Sequence, residues 1–171
     1  SYFTLGSLRR LFERTGFEVL DARKVYDDQY LVLEATPRAG EVPPPATDDL
    51  AALAELVAAF PDRVRQKVDR WKSDLAAWKA RGLTTVLWGS GSKAVGFLSA
   101  VENHDAVASV VDINPHKHGR FMPGCPQQVV GPEDLKTIRP DVVVVMNPIY
   151  LEEIGADLRA MDLDPELTAL T

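Results

Sequence analysis

The feature that most constrains the fold is a pair of glycines, Gly89 and Gly91, placed between an apolar run and an amphipathic helical pattern. The run 84–88 is typical of a buried strand, and the helical pattern begins at Ser92. Glycine tolerates a tight turn, and the free N–H groups at the start of a helix attract anions. This segment therefore predicts a strand, a turn and a helix, with a phosphate-bearing ligand near Gly89–Lys93.

The same glycines satisfy a relaxed dinucleotide-binding fingerprint. The spacing is Gly89-x-Gly91-x-x-Ala94, in which the third position can be Ala. Asp112 closes the next apolar run, roughly 20 residues further on, where an acid could bond a ribose hydroxyl. An NAD(P)-dependent oxidoreductase is therefore one possible interpretation. The chain supplies no distinct substrate domain, however, and no convincing residues for the site of hydride transfer.

From residue 83 onward, strand-like and helical patterns alternate. Strands are predicted at 84–88, 107–112, 129–130, 141–146 and 167–170, and helices at 92–102, from Pro132 and at 150–161. Strands separated by helices form a parallel sheet with right-handed crossovers. The four valines at 142–145 fit a central strand covered on both faces. The expected fold is α/β, with a Rossmann-like parallel sheet domain over residues 83–171.

Residues 1–36 have the pattern of a smaller unit. A helix is predicted at 7–15 and ends at Gly16, and two strands at 17–26 and 29–36 are joined by a short turn. So few residues cannot bury a core alone and must pack on another part of the protein. The chain opens in structured-looking sequence without Met, and we expect a fragment that lacks its natural N-terminal portion.

A proline-rich segment and a long helix are expected between these parts. Residues 37–47 contain three consecutive prolines and predict an extended linker. Thr47 or Asp48 then caps a helical pattern over 48–82, which Pro61 is expected to interrupt. The apolar residues beyond Pro61 recur at helical spacing, and they are Val64, Val68, Trp71, Leu75 and Trp78. We expect these residues to pack in a core rather than to contact a ligand.

Composition narrows the class of function. The net charge of −6 and the lack of a dense basic stripe argue against a nucleic-acid surface. The single cysteine, Cys125, excludes a disulfide framework and a cysteine-based zinc site within this chain. No apolar run approaches the roughly 20 residues of a membrane span, and no signal peptide is visible. We expect a cytoplasmic protein that binds neither nucleic acid nor membrane.

Polar clusters follow three of the predicted strands, at the edge where parallel sheets bind ligands. The candidate substrate-binding residues are Gly89, Ser90, Gly91, Ser92, Lys93, Asp112, Asn114, His116, Lys117, Asn147 and Tyr150. Structural alternatives exist for several of them. Ser92 or Asn147 could cap a helix, Tyr150 could pack, and the basic loop could pair with Glu152 and Glu153.

No catalytic or metal-binding residue is assigned. Two histidines on a loop, His116 and His118, make a poor zinc signature beside Asp112, because no clear third ligand accompanies them. No Ser-His-Asp or Cys-His arrangement can be assembled from the sequence.

Taken in order, these motifs resemble the C-terminal portion of S-adenosylmethionine-dependent sugar C-methyltransferases, which modify nucleotide-linked deoxysugars. The resembling segments are Trp88-Gly-Ser-Gly-Ser-Lys93, Val111-Asp-Ile-Asn-Pro-His-Lys-His-Gly119, Met122-Pro-Gly124 and Met146-Asn-Pro-Ile-Tyr150, followed by Glu153-Ile154. The opening Ser1-Tyr2-Phe3-Thr4 is similar to the family's segment after its catalytic histidine. The helix and hairpin up to Thr36 are similar to the closing elements of a methyltransferase domain.

The resemblance implies a three-part enzyme, with a cysteine-rich zinc module and a methyltransferase domain besides the Rossmann-like domain. S-adenosylmethionine, zinc and the base that deprotonates the sugar carbon would belong to those other parts. We therefore expect this chain to hold no cofactor and to be inactive alone. Its expected ligand is a nucleotide-linked sugar, with a dTDP-sugar suspected, and its expected partners are the missing modules. A Rossmann module that serves only as a scaffold is the other interpretation.

Overall fold

The computed structural model describes residues 2–41, 44, 49–102 and 104–170. The chain divides into two compact units, Ser1–Pro61 and Asp62–Thr171. Residues 42, 43 and 45–47 of the predicted linker lie outside the described residues, as do the predicted helix caps Thr47 and Asp48.

The first unit begins with a short helix and a hairpin. Helix α1 spans Leu5–Arg14 and begins earlier than its apolar pattern because Thr4 and Ser7 form a capping box. The Thr4 hydroxyl accepts from the Ser7 N–H at 3.1 Å, and the Ser7 hydroxyl accepts from the Thr4 N–H at 2.9 Å. Strand β1 (Phe17–Val25) pairs antiparallel with β2 (Tyr30–Pro37). The predicted helix and hairpin are confirmed.

The hairpin turn is built from residues in the left-handed region. Tyr26, Asp27 and Asp28 have φ of 56, 51 and 58°, and aspartate tolerates this conformation better than most residues. The Gln29 N–H closes the turn on the Tyr26 carbonyl at 3.2 Å. None of the described residues of this unit is buried, which agrees with the expectation that so small a unit lacks a core of its own.

Helix α2 spans Leu50–Ala80 and passes from one unit into the other. The predicted interruption at Pro61 is wrong: the helix runs continuously through this residue, because the proline removes one helical hydrogen bond without ending the helix. In its second half Trp71, Leu75 and Trp78 are buried. The Trp71 ring lies edge-on to Phe97, with 5.4 Å between centroids. Core packing is therefore confirmed for Trp71, Leu75 and Trp78, but it is wrong for Val64, which is exposed, and Val68 is only partly buried.

The second unit contains a five-stranded, all-parallel sheet. Its strands are β3 (Thr85–Trp88), β4 (Ser109–Val111), β5 (Val129–Val130), β6 (Val142–Val145) and β7 (Glu166–Ala169), and its later helices are α3 (Ser92–Val101), α4 (Leu135–Ile138) and α5 (Leu151–Ala160). The spatial order is β5-β4-β3-β6-β7. This is the doubly wound arrangement of a Rossmann-like fold, and the predicted α/β class is confirmed.

The two central strands carry the core. Every residue of β3 and β6 is buried, and their alternating side chains enter two hydrophobic clusters. Leu87 and Val144 pack with Trp71 in one cluster, whereas Val86 and Val143 pack with Leu158 in the other. The chain moves outward from β3 through β4 to β5 and returns to β6. The direction of winding therefore reverses between β3 and β6, and a crevice is expected at their carboxyl ends.

No helix among the described residues combines the length and the apolar character needed to cross a membrane. The 31-residue α2 is long enough, but charged residues recur along it.

Candidate functional site

A cavity of about 380 Å³ lies at the carboxyl ends of β3 and β6, where the winding of the sheet reverses. From β3 and the turn after it come Trp88, Gly89, Gly91, Ser92 and Lys93, and from the residues after β4 come Asp112 and Ile113. The end of β6 and the chain beyond it contribute Val145, Met146, Asn147, Tyr150, Glu153, Ile154 and Asp157. The volume falls in the range of small-molecule sites, roughly 300–1,000 Å³.

The glycine turn follows from the close approach of two strand ends. Gly89 has φ +111°, and a Cβ there would lie 3.4 Å from the Met146 Cβ. The Gly89 N–H donates to the Val111 carbonyl at 2.8 Å, which ties the turn to β4. Gly91 has φ −80° and stands at the N-cap of α3, so Ser92 is the first helical residue and does not cap the helix.

Lys93 lies in the first turn of α3 and lines the cavity. Its Nζ donates to the Asn147 Oδ1 at 3.5 Å, which is at the outer limit of a hydrogen bond. Across the described ranges, Lys93 forms no ion pair. The first amides of a helix also lack helical partners. An ammonium group and a helix N-terminus therefore meet at this end of the cavity, which suits an anion.

The Asp112 carboxylate accepts hydrogen bonds from donors of its own chain. Its Oδ2 accepts from the Ser90 N–H at 3.0 Å, from the Ser90 hydroxyl and from the Lys117 Nζ at 2.9 Å. Its Oδ1 accepts from the Asn114 N–H at 2.9 Å. The side chain is only 11% exposed.

These contacts shift the titration of Asp112. Burial by itself raises the pKa of the carboxyl, but hydrogen bonds from the Ser90 hydroxyl, the Asn114 amide, the Lys117 ammonium and the Ser90 amide outweigh it. The net effect lowers the pKa of Asp112 from 3.8 to about 2. The carboxylate therefore stays ionised wherever the chain is folded at ordinary pH.

The loop after Asp112 folds back on itself. The Asn114 Oδ1 accepts from the His116 N–H at 3.0 Å and caps a short 3-10 turn over Pro115–Lys117. The His118 Nε2 lies 2.7 Å from the backbone carbonyl of Asp112, to which it donates. Lys117 pairs with Asp112 and not with Glu152 or Glu153, the acids considered as partners of this loop.

The predicted residues thus fall into two groups. Those that line the cavity together are Gly89, Gly91, Ser92, Lys93, Asp112, Asn147 and Tyr150, whereas Ser90, Asn114, His116 and Lys117 lie outside its lining. Asn147 makes no capping hydrogen bond to the turn that follows it, and Tyr150 is 40% exposed. Contact of any of these residues with a ligand stays a prediction.

Sequence reasoning missed part of the lining. Glu153 and Asp157 stand one turn apart on α5, and Ile113, Met146 and Ile154 add apolar surface. The spacing of Glu153 and Asp157, four residues apart on a helix that follows a strand end, is the signal that could have revealed the acidic pair. The apolar residues carry no comparable signal, because their spacing is that of ordinary core.

Two observations concern the cofactors implied by the resemblance. Within the described ranges no group of three or more His, Cys, Asp or Glu side chains is placed to hold a metal ion, so zinc has no ligand set here. S-adenosylmethionine carries a ribose whose hydroxyls would seek an acid at the end of β4. The Asp112 carboxylate in that position is already bonded to Ser90, Asn114 and Lys117.

Comparison with known proteins gives one informative result. A family model described as C-methyltransferase C-terminal domain matches residues 48–164, well over half of the chain. No curated protein matches the chain. Among solved structures, the chain is similar to RSP, a Rex-family repressor, with 13% identity, a TM-score of 0.40 and coverage of 70% of this chain and 73% of that chain. No conclusion follows from a similarity that weak.

Proposed function

Because the chain belongs to the C-methyltransferase C-terminal domain family, we propose that its second unit is the substrate-side domain of an S-adenosylmethionine-dependent C-methyltransferase. The proposed substrate is a nucleotide-linked keto-deoxysugar. S-adenosylmethionine would supply the methyl group, and we assign its binding, together with zinc and the catalytic base, to other modules of the full-length enzyme. The role proposed for this chain is to bind and orient the substrate.

One observation carries the proposal: the cavity lies at the carboxyl ends of β3 and β6, where the winding of the sheet reverses. Open α/β sheets bind their ligands at this point, because the loops after the two strands diverge and leave a crevice. Ligand binding is therefore the role that we propose for this cavity.

A phosphate group of the substrate would lie beside Lys93. The Lys93 ammonium and the start of α3 give this end of the cavity its positive potential. The ammonium has no ion-pair partner among the described residues to compete with a ligand. A charge-assisted hydrogen bond from Lys93 to phosphate would be worth about 1.5–3 kcal/mol.

Other residues of the lining would receive the neutral parts of the substrate. Glu153 and Asp157 are exposed acids on α5 and can accept hydrogen bonds from sugar hydroxyls. Ile113 and Ile154 offer apolar surface to a ring. Because the two acids would repel a phosphate, they favour one orientation of the ligand, with its phosphates toward Lys93.

The proposal is tested by calorimetric titration of the 171-residue chain with dTDP-glucose, with NAD⁺ and S-adenosylmethionine as parallel ligands. We expect dTDP-glucose to bind and the other two not to bind. Lys93→Met should weaken dTDP-glucose binding about tenfold or more, which is the loss of one charge-assisted contact. Lys136→Met is the matched control, because Lys136 pairs with Glu133 outside the cavity.

The outcomes separate the alternatives. Binding of NAD⁺ in preference to dTDP-glucose would favour the oxidoreductase interpretation, and binding of S-adenosylmethionine would contradict the assignment of that cofactor to another module. Equal affinities of the native chain and Lys93→Met for dTDP-glucose would contradict the proposed contact between Lys93 and phosphate. If none of the three ligands binds, the scaffold interpretation takes first place.

A further inference from the structure

Asp112 lies where a nucleotide-binding acid is expected, but its carboxylate accepts hydrogen bonds from its own chain. It directly follows β4 and lines the cavity. In dinucleotide-binding Rossmann folds, the acid in this position bonds the ribose hydroxyls. Here Oδ2 accepts hydrogen bonds from three donors of Ser90 and Lys117, and Oδ1 accepts one from the Asn114 N–H, so the acceptor sites of Oδ2 are fully occupied.

The four donors come from both sides of the acid. Ser90 belongs to the glycine turn before α3, 22 residues earlier in the chain, whereas Asn114 and Lys117 belong to the loop that follows. The carboxylate is therefore the common acceptor that joins the turn to the loop. A ribose that bonded both carboxylate oxygens of Asp112 would have to displace Ser90 or Lys117 from Oδ2, and the displaced donor would need another partner.

We infer that Asp112 is a positioning residue whose hydrogen bonds hold the turn Gly89–Ser92 against the loop Asn114–Lys117. Because its carboxylate is occupied by these hydrogen bonds, the cavity disfavours ligands that require a ribose contact at the end of β4. The second part rests on the proposed function, since it concerns which ligand the cavity accepts. The first part depends only on the hydrogen bonds of the folded chain.

Two variants separate the parts. Asp112→Asn keeps the shape of the side chain but removes the charge that faces Lys117 and one acceptor that faces Ser90. The double variant Ser90→Ala/Lys117→Met keeps the carboxylate and removes two of the three donors to Oδ2, so acceptor sites on Oδ2 become free for a ribose. The matched control is Ser99→Ala/Lys136→Met, the same two substitutions at exposed positions away from the cavity.

Amide hydrogen exchange of the whole chain tests whether Asp112 holds the turn in place. In Asp112→Asn, the amides of Gly89–Ser92 should exchange about tenfold faster or more, because the acceptor of the Ser90 donors and the partner of Lys117 are lost. This acceleration should exceed that of the β6 amides, which reflects only the loss of global stability. A merely structural role would accelerate exchange in turn and sheet alike. Unchanged exchange of the turn, or equal acceleration in turn and sheet, would overturn the positioning role.

Titration with NAD⁺ tests the selection. Over a concentration range in which the native chain binds no NAD⁺, we expect the Ser90→Ala/Lys117→Met chain to bind NAD⁺, because the ribose can reach a free carboxylate oxygen. The control double variant should bind no NAD⁺ over the same range. If the double variant binds NAD⁺ no more tightly than the native chain, Asp112 does not decide the selection. Neither readout uses dTDP-glucose, so failure of dTDP-glucose to bind would count against the proposed function alone.

Discussion

At Gly89 it is the backbone conformation that requires glycine. Its φ of +111° is rarely adopted by residues with a side chain, and a Cβ would approach Met146 on the neighbouring strand end. Gly91, two residues later, has an ordinary φ of −80°, and no atom lies within 4 Å of the position of its Cβ. Of the two glycines of the fingerprint, only Gly89 therefore has a backbone conformation that requires glycine.

This difference can be measured with two alanine variants. Gly89→Ala should lower the free energy of unfolding by about 1–3 kcal/mol, which is the cost of a strained backbone position. Gly91→Ala should change it by less than about 0.5 kcal/mol, because the gain from a less flexible unfolded chain opposes the poorer N-cap. Urea unfolding of both variants provides the comparison, and equal losses would show that the strain at Gly89 is not what the turn requires.

The Asp112 carboxylate predicts how stability changes in acid. Its pKa is lowered from 3.8 to about 2 in the folded chain, so the folded form binds this proton less readily than the unfolded form. The stabilisation is therefore complete above about pH 4 and is lost as the pH falls through about 2, and it amounts to about 2 kcal/mol. The difference in unfolding free energy between the native chain and Asp112→Asn should shrink over this window.

Carboxyl NMR gives an independent measurement of the same group. The ¹³C resonance of the Asp112 carboxyl should titrate with a midpoint near 2, well below its ordinary value of 3.8. A midpoint at 3.8, or a stability difference that does not vary with pH, would mean that Ser90 and Lys117 do not hold the carboxylate in solution.

At the scale of elements, α2 carries two kinds of apolar residue at similar helical spacing. Trp71 is 6% exposed and packs against Phe97 of α3 and Trp78 of α2. Phe60, earlier on the same helix, is 64% exposed. Spacing alone does not distinguish the two, since both are large, apolar and helical.

Truncation of each residue should separate them. Trp71→Ala should lower the free energy of unfolding by about 3–5 kcal/mol, because it leaves a cavity between α2 and α3. Phe60→Ala should change it by less than about 0.5 kcal/mol, as an exposed side chain does. Chemical denaturation followed by circular dichroism measures both. A large loss for Phe60→Ala would show that this residue is covered in solution.

At the scale of the whole molecule, the buried residues are distributed unevenly. Among the described residues, every buried side chain belongs to the unit Asp62–Thr171, and none belongs to Ser1–Pro61. Buried apolar surface is the main source of folding free energy, so the two units should differ in local stability.

Hydrogen exchange should show this difference directly. The amides of β1 and β2 should exchange through openings of low free energy, whereas those of β3 and β6 should exchange only through global unfolding. Mass spectrometry of peptides from the whole chain resolves the two classes. Protection of β1 and β2 equal to that of β6 would contradict the prediction and would indicate that the hairpin is stabilised by more than its own contacts.

The sequence by itself determined the order and type of the elements, because each depends on residues close together in the chain. The glycines at 89 and 91 between apolar and helical patterns, the valines of β6 and the stop at Gly16 are such local signals. They led to the α/β fold and to the three polar clusters at the strand ends.

Only the tertiary structure decided which polar side chains face the cavity and which bond to one another. Asp112 takes a donor from Ser90, 22 residues away, and Glu153 joins Lys93 at the cavity from a different helix. Such pairings depend on how loops from separate strands meet at one edge of the sheet, and no local pattern encodes that. Asp112, the acid that the fingerprint assigned to a ribose, therefore accepts its hydrogen bonds from within the chain.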